Sequence, residues 1–589
     1  MKFIELANTF EKIDATTKRL EMTSYLVDLI QKTPKEEIGK VVYLLQGKLY
    51  PDYEGVELGL AEKLLIRVAA EVAGKTEKAV ESDYKKTGDI GLTAEKLVEK
   101  RSQTTLSKRP LTVKVVYETF DKIAHAEGGG SVEMKLRLLT SLLNDASPVE
   151  GKYIARMAVG KLRLGVADMT VLDALAVAYG GDKVAREPLE RAYNLSSDLA
   201  HVAEVAAQEG LDGVAKFKIT VGRPIRAMLC ERLPNAEAIL EKLGGRGGAE
   251  YKYDGLRIQA HLGAKNVKLF SRRLENITDQ FPDVAASLRK NIKAEEAIIE
   301  GECVAVDANT GDMLPFQVIS QRRGRKYEIQ RMSEEIPVTV FLFDALYLDG
   351  VDLTTAPYLK RRESLIEAVQ SSEHVVVATQ HVIDDPKKLE QLMEEAVAAG
   401  CEGLVVKNIS DQSTYQAGAR GWLWIKYKRS YKAAVADTFD LVPVGAFAGR
   451  GRRAGSYGAL LMAVYNSAND VFETLCKLGS GFTDADLASL PETLEPFLSK
   501  HRNPRVTSLM QPDVWFTPSV VLEVTADEIT LSPMHTCAWD AVRKSSGLAL
   551  RFPRFTGRWR KDKAAEDATS TQETVEIYRK QLKKIESDS

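Results

Sequence analysis

Apolar residues recur at helical spacing through the first 220 or so residues of the chain. In MKFIELANTFEKIDATTKRLE, Leu6, Phe10 and Ile13 fall on one helix face. Ile38, Val41, Val42 and Leu45 repeat the pattern, between Thr33-Pro34-Lys35-Glu36, which reads as a capping box with proline at the first helical position, and Gly47 as a stop. The period continues through LGLAEKLLIRVAAEVA, VYETFDKIAHA, MKLRLLTSLLND and VLDALAVAYG without sustained strand-like alternation, so residues 1–220 are predicted to be all-helical. Near KFKITVGRPIRAML (216–229) a Gly-Arg-Pro interrupts an extended stretch and marks a boundary. In RIQAHL (257–262), Ile258, Ala260 and Leu262 alternate with Arg257, Gln259 and His261, and GAKN turns the chain into VKLF. AIIEGECVAV, VTVFLFDALYL and GLVVKNI are further strands, with the helices LKRRESLIEAVQ and PKKLEQLMEEAVAAG between them. An α+β region with a largely antiparallel sheet is therefore expected over 221–431. From 432, DTFDLVPVGAFAG, GALLMAVYN and DVFETLCKLG are short strands with glycine turns, as in a small barrel. The last segment of 432–589 carries Val575, Tyr578, Leu582 and Ile585 on one face of a terminal helix.

A chain of 589 residues is too long for one core, so several domains are expected. Its 44% apolar and 28% charged residues are ordinary for a globular protein, and no apolar run approaches membrane-spanning length. The N-terminal stretch lacks the apolar segment of a signal peptide; no membrane association and a cytoplasmic location are expected. Five scattered cysteines without a CxxC pair argue against a structural zinc site and a disulfide framework. A net charge of −2 excludes a uniformly basic nucleic-acid coat. Basic clusters nevertheless occur at SQRRGRKYEIQR (320–331), IKYKRSYK (425–432), GRGRR (449–453) and RFPRFTGRWRKDK (551–563). One such cluster is ordinarily a solvated face; four in the C-terminal half, several with aromatics, point to a local polyanion surface.

The stretch EYKYDGLR (250–257) sets Lys252 among tyrosines, carboxylates and an arginine. An exposed lysine is usually only a solvated charge, whereas a nucleophilic one must shed its proton near neutral pH. Two apparent phosphate loops do not hold up. GKT at 74–76 lacks the first glycine of a P-loop, since position 69 is Ala69, and GRGRRAGSYG lacks a strand-to-helix context. Further motifs follow Lys252. Arg272 comes just after VKLF; Glu302 ends the run IIEGE, where a lone carboxylate could hold Mg²⁺; Phe343 and Asp344 interrupt an apolar strand. EGLVVK pairs Glu402 with Lys407 across a short strand, and RGWLWIKYK puts Lys426 and Lys428 on one strand face with Trp424. Each has a bland reading as a strand-end charge or salt bridge. His535, with no second ligand spaced for metal, is expected to satisfy a local hydrogen bond.

In this order, KYDGLR, SRR, EGE, FLFDALYLDG, EGLVVK and WIKYK resemble the motif series of the covalent nucleotidyltransferases, which comprise ATP-dependent DNA and RNA ligases and mRNA capping enzymes. RFPRFTGRWRKDKAAEDAT is similar to the last motif of the DNA ligases. LQGKLYPDYEGVELGLAEKLL and GKYIARMAVGKLRLGVADMTVLDALA resemble the DNA-binding domain of the archaeal and eukaryotic replicative type. The resemblance implies a multidomain fold: an all-α DNA-binding domain (1–220), an α+β antiparallel adenylation domain (221–431) and a C-terminal OB-fold barrel with a terminal helix (432–589). It implies ATP as substrate, Mg²⁺ or Mn²⁺ as cofactor, nicked duplex DNA as partner and a monomeric state. Lys252 would carry AMP; Glu250 and Arg257 would contact the nucleotide, and Phe343 would stack on adenine. Arg272 would engage phosphate or ribose, Glu302 ribose or metal, and Glu402 metal. Arg420, Lys426 and Lys428 would face the triphosphate, while Arg558, Arg560 and Lys563 would orient pyrophosphate. FTGRWRKDK is one residue longer than the usual motif, which leaves open whether Arg558 or Arg560 faces phosphate. Gln103 and Leu106 match a sliding-clamp segment, without the aromatic pair that usually follows. The alternatives are an RNA ligase, a capping guanylyltransferase or an inactive DNA-binding, clamp-associated scaffold; five scattered cysteines exclude the zinc module of an NAD⁺-dependent ligase.

Overall fold

The structure, a computed structural model, describes all residues except 59, 101–108, 265, 307–312, 315, 326, 400, 429–437, 449–455, 527, 533, 552 and 587–589. The clamp-segment residues Gln103 and Leu106 and the GRGRR loop lie outside the described residues.

Twelve α-helices run between Phe3 and Ala215 among the described residues. The periodicity is realised in packing: Leu6, Phe10 and Ile13 of the first helix, and Ile38, Val41, Val42 and Leu45 of the helix Ile38–Leu45, are buried in one core. The capping box expected at Thr33 does not form. Thr33 ends the preceding helix, its hydroxyl donating to the Leu29 carbonyl at 2.7 Å, so it has no part in starting the next one. The GKT triplet is a helix junction: Gly74 closes one helix, and the Thr76 hydroxyl accepts from the Ala79 N–H to start the next.

The chain forms two compact units that interleave along the sequence. One comprises Met1–Glu231, Tyr253–Gln380 and Lys407–Trp424, the other Arg232–Lys252, His381–Val406 and Ile425–Ser589. After the helices come β1 (Leu229–Arg232), β2 (Gly247–Lys252), β3 (Leu256–Leu262), β4 (Val267–Ser271), β5 (Ala297–Ala305), β6 (Val338–Leu348), β7 (Val351–Asp352) and β8 (Val375–Val377). In the first unit β4, β3, β5, β6 and β7 lie side by side and antiparallel, and β8 joins β6 in parallel. The apolar row of β3, Ile258, Ala260 and Leu262, fills the core beneath this sheet. Its polar row is not exposed either: Gln259 and His261 are buried, and burial pushes the His261 pKa down to about 3. The basic cluster at 320–331 is partly structural. Arg322 is 1% exposed, pairs with Asp283 and covers the Phe281 ring, so it contributes nothing to a solvated face.

In the second unit β2 lies between β9 (Gln380–Ile383) and β10 (Gly403–Lys407), and β10 borders the C-terminal half of β11 (Arg420–Lys428). The same unit holds a β-rich C-terminal region. Strands β12 (Phe439–Ala448), β13 (Tyr457–Asn466) and β14 (Val471–Leu478) form an antiparallel meander. One half of β12 pairs with Val514–Phe516 and the other with Leu522–Thr525, so the strand turns the sheet toward closure. The terminal helix Thr571–Glu586 packs Val575 and Tyr578 onto this core. Among the described residues the buried Nδ1 of His535 has no partner, while its backbone N–H donates to the Ser532 hydroxyl at 3.1 Å, and burial lowers the ring's pKa to about 4.

Candidate active site

Lys252 ends β2, half-buried, with Glu250 on the same strand 2% exposed. The backbone N–H of Glu402 donates to the Lys252 carbonyl at 2.8 Å, which fixes the two residues side by side. The Lys252 Nζ stands 3.0 Å from Glu402 Oε2, and Lys428 Nζ reaches the same oxygen at 2.6 Å. Gly403 makes this approach possible. A Cβ there would lie 2.3 Å from the Tyr427 carbonyl and 3.0 Å from Lys428 Cα, so any side chain would push β10 off β11. Burial alone would raise the Glu402 pKa, but the ammonium charges of Lys252 and Lys428 overcome it and hold the carboxyl down to about 2. Glu402 is thus ionised at any physiological pH, as a hard-cation ligand must be. Its partner is not Lys407, as the motif had suggested. The Lys407 ammonium belongs to the first unit, where it donates to the Phe343 carbonyl and lies over the Phe343, Tyr358 and Trp424 rings. Lys426 and Lys428 are both half-buried on β11, on either side of the buried Tyr427, as two same-face residues of a strand should be.

In the first unit the rest of the KYDGLR motif crosses β3. Gly255 brings its backbone against β5: a Cβ there would meet the Cys303 carbonyl at 2.4 Å and the Glu302 side chain at 3.0 Å. Asp254 accepts from the Phe316 N–H, and Tyr253 stacks on Phe341 at 4.0 Å. Arg257 faces Glu302 across the β3–β5 ladder. Its guanidinium donates to Glu300 Oε2 and to the Met228 carbonyl, both at 2.8 Å, and lies 5.4 Å from the Phe343 ring centre and 5.6 Å from that of Trp424. Phe343 is half-buried and meets Trp424 edge-on. Immediately beside it, Asp344 and Arg361, both fully buried, form a two-point ion pair that fixes β6. Glu300, Tyr415 and Gln259 surround Arg257, and sequence reasoning did not single them out. The sign available was the polar row of β3, read only as alternation.

Arg272, exposed in the turn after β4, lines a cleft of about 1360 Å³ in the first unit. Lys48, Tyr50 and His125 from the helices share that cleft with Arg226, Arg273 and Arg323. Arg420 is exposed at the start of β11. In the C-terminal region the ladder between Leu522–Thr525 and Arg554–Trp559 is irregular between Leu522 and Val524, opposite the FTGRW stretch. Arg560 and Lys563 share Asp440, at 2.8 and 2.7 Å, whereas Arg558 is 65% exposed and only 3.5 Å from Glu523 at its nearest.

Among the described residues no group of three or more histidine, cysteine, aspartate or glutamate side chains converges as a metal cage. One carboxylate supplemented by substrate phosphates is the usual protein contribution for Mg²⁺, and Glu402, kept anionic, fits that role. No helix among the described residues is long and apolar enough to cross a membrane.

Sequence models of three regions match the chain: DNA ligase N terminus over residues 2–176, ATP dependent DNA ligase domain over 227–428, and ATP dependent DNA ligase C terminal region over 453–563. The chain is 53% identical to a protein named DNA ligase 2 from Thermofilum pendens, covering 98% of this chain and 97% of that one. It is 51% identical to a DNA ligase from Staphylothermus marinus, covering 99% and 100%, and 48% identical to one from Nitrosopumilus maritimus, covering 99% of each. A solved structure named Pmar-Lig_PreS3 shares the fold, with a TM-score of 0.54 at 17% identity over 94% of this chain and 99% of that one.

Proposed function

The chain belongs to the ATP-dependent DNA ligase family and is a nick-sealing enzyme that uses ATP; from that premise we propose that Lys252 is its covalent nucleotide carrier. The observation that supports this reading is the pairing of Lys252 with an ionised Glu402 that a second lysine, Lys428, also contacts. The Lys252 nitrogen attacks the α-phosphorus of ATP; a P–N bond forms and pyrophosphate leaves. The 5′-phosphate of the nick then takes the AMP, forming a P–O bond as the P–N bond breaks. Finally the 3′-hydroxyl attacks that 5′-phosphorus and AMP departs. Lys428 and Lys426 offset phosphate charge, as does Arg420. Glu250 and Arg257 hold the nucleoside, Phe343 stacks on adenine, and Arg272 engages phosphate.

A divalent cation, Mg²⁺ or Mn²⁺, held by Glu402 and by Glu302, would supply charge neutralisation at the phosphates when bound. Arg558, the least engaged of the terminal cations, is the one assigned to pyrophosphate, with Arg560 and Lys563 building its base on Asp440. The functional divisions are placed at 220 and 431. The helical region would grip duplex phosphates without base readout, which makes binding salt-sensitive. A monomer in the cytoplasm, with clamp contact through Gln103 and Leu106, completes the reading. The N-terminal match over 2–176 favours DNA ligase over the capping and RNA-ligase alternatives. Incubation with α-³²P-labelled ATP and Mg²⁺, then denaturing electrophoresis and a chase with nicked DNA, tests it. Label should stay on the wild type and leave with sealing. Label on Lys252→Ala would sink the assignment of the carrier.

A further inference from the structure

The polar row of β3 does more than close a sheet. Arg257, Gln259 and His261 each bind the backbone of the segment leading from the helices into the sheet. The Gly222 N–H donates to His261 Nδ1 at 2.9 Å, so the neutral ring carries its proton on Nε2 and gives it to Gln259 Oε1 at 2.8 Å. Gln259 Oε1 also accepts from the Ile225 N–H, and its amide group donates to the Ile225 carbonyl and to Glu300 Oε1. Both donors and both lone pairs of that amide are thus used, which fixes its orientation. At the other end the Tyr415 hydroxyl accepts from the Met228 N–H and donates to Glu300 Oε2, both at 2.9 Å. The Met228 carbonyl takes Arg257.

We propose that Gln259 and Tyr415 are positioning residues for the nucleotide step, acting on Arg257 through Glu300. The inference rests on the reading of Arg257 as a nucleotide contact. Glu300 is 1% exposed and receives three donors, from Arg257, Gln259 and Tyr415. Two of the three come from side chains other than the motif arginine. Their geometric effect is to hold the carboxylate still, so that the guanidinium it grips has one place to be. A planar fork on a fixed carboxylate loses little freedom when a ligand arrives, whereas the same fork on a mobile one must be ordered by the ligand. The cost of losing either donor therefore falls on ATP binding. Because Ile225 and Met228 are read by the same side chains, the arginine is also tied to the chain that enters from the helices.

The test is single-turnover self-adenylylation of the full chain with Mg²⁺ across ATP concentrations, for wild type, Arg257→Ala, Tyr415→Phe, Gln259→Leu and the double variant Arg257→Ala/Tyr415→Phe. Tyr415→Phe loses only a hydroxyl and guards against a folding failure in Gln259→Leu. Each positioning variant should raise the half-saturating ATP concentration about tenfold, the size of one hydrogen bond to a charged group, with the saturated rate nearly unchanged. The double variant should be no worse than Arg257→Ala, because the hydroxyl acts through the arginine. A purely packing role would make the two losses additive, and that result overturns the proposal. So does an unchanged half-saturation in both positioning variants while Arg257→Ala is impaired. If Arg257→Ala itself binds ATP normally, the underlying reading of Arg257 is what fails.

Discussion

Two carboxylates, each gripped by one cation of the KYDGLR motif, sit in opposite settings. Glu300, in the first unit, is 1% exposed and held by a guanidinium, a phenol and an amide. Glu402, in the second, faces two lysines whose side chains are about a quarter exposed. An arginine cannot give up its proton and presents a planar fork, which suits a permanent buried pair; a lysine can give up its proton and swing away, which suits a group that must become a nucleophile. Lys252 and Arg257 stand five positions apart in the sequence and, on the function proposed above, divide these tasks. The contrast teaches that a carboxylate–cation pair is structural or chemical according to the cation's ability to leave it.

The sharpest break of that contrast is Lys252→Arg. It keeps a positive charge beside Glu402 but cannot form a neutral amine, so adenylylation should fall at least about a thousandfold, as far as in Lys252→Ala. Labelling from ATP by the arginine variant would show that charge alone suffices. Next, Glu300→Gln leaves Arg257 buried without a counter-charge and should lower unfolding free energy by about 3 kcal/mol or more. Glu402→Gln, whose lysines can turn to water, should stay within about 1 kcal/mol of wild type while adenylylation drops. Urea midpoints for the two variants decide this; equal losses would erase the distinction.

A smaller effect comes with pH. His261 is folded as the neutral ring, its pKa pushed from 6.5 to about 3 by burial. The unfolded chain takes up a proton below pH 6.5 and the folded chain does not. Stability is therefore complete above 6.5 and declines as pH falls towards 3, by about 1.4 kcal/mol per unit once well below 6.5. His535, lowered to about 4, adds a slope of the same sign in its own unit. Urea midpoints measured from pH 6.5 to 5 should fall, and His261→Gln should remove its share of the slope. The smallest effect separates the terminal arginines. Arg558→Ala should leave the melting temperature unchanged and slow adenylylation about tenfold, the loss of one charged contact to phosphate. Arg560→Ala, which leaves Asp440 paired with Lys563, should lower both, and equal melting of the two variants would remove the reason for choosing Arg558.

Much of this was legible along the chain because local periodicity and motif spacing are local properties. The helical face of Leu6, Phe10 and Ile13, the strand alternation of RIQAHL and the order of motifs around Lys252 needed no neighbours in space to be read. What failed did so for tertiary reasons. Thr33 had the composition of a helix start, but its hydroxyl had a carbonyl of its own helix to bind, at Leu29. Glu402 stands just before β10 and Lys407 ends it, an odd five positions apart, so extended backbone sends the two side chains to opposite faces and each meets other partners. Arg322 belonged to a basic cluster until Asp283 and Phe281 enclosed it.

By itself, then, the sequence determined the helical and strand-rich regions and the roster of charged motif residues, including the lysine proposed as carrier, since residue type, period and spacing carry that information. Only the tertiary structure decided which carboxylate meets which cation. It also buried the polar row of β3 against the segment from Gly222 to Met228 and set Tyr415 beside Glu300, 115 positions away. The physical reason is that a buried polar group takes its meaning from the donors and acceptors that surround it, and the fold gathers these from positions far apart along the chain.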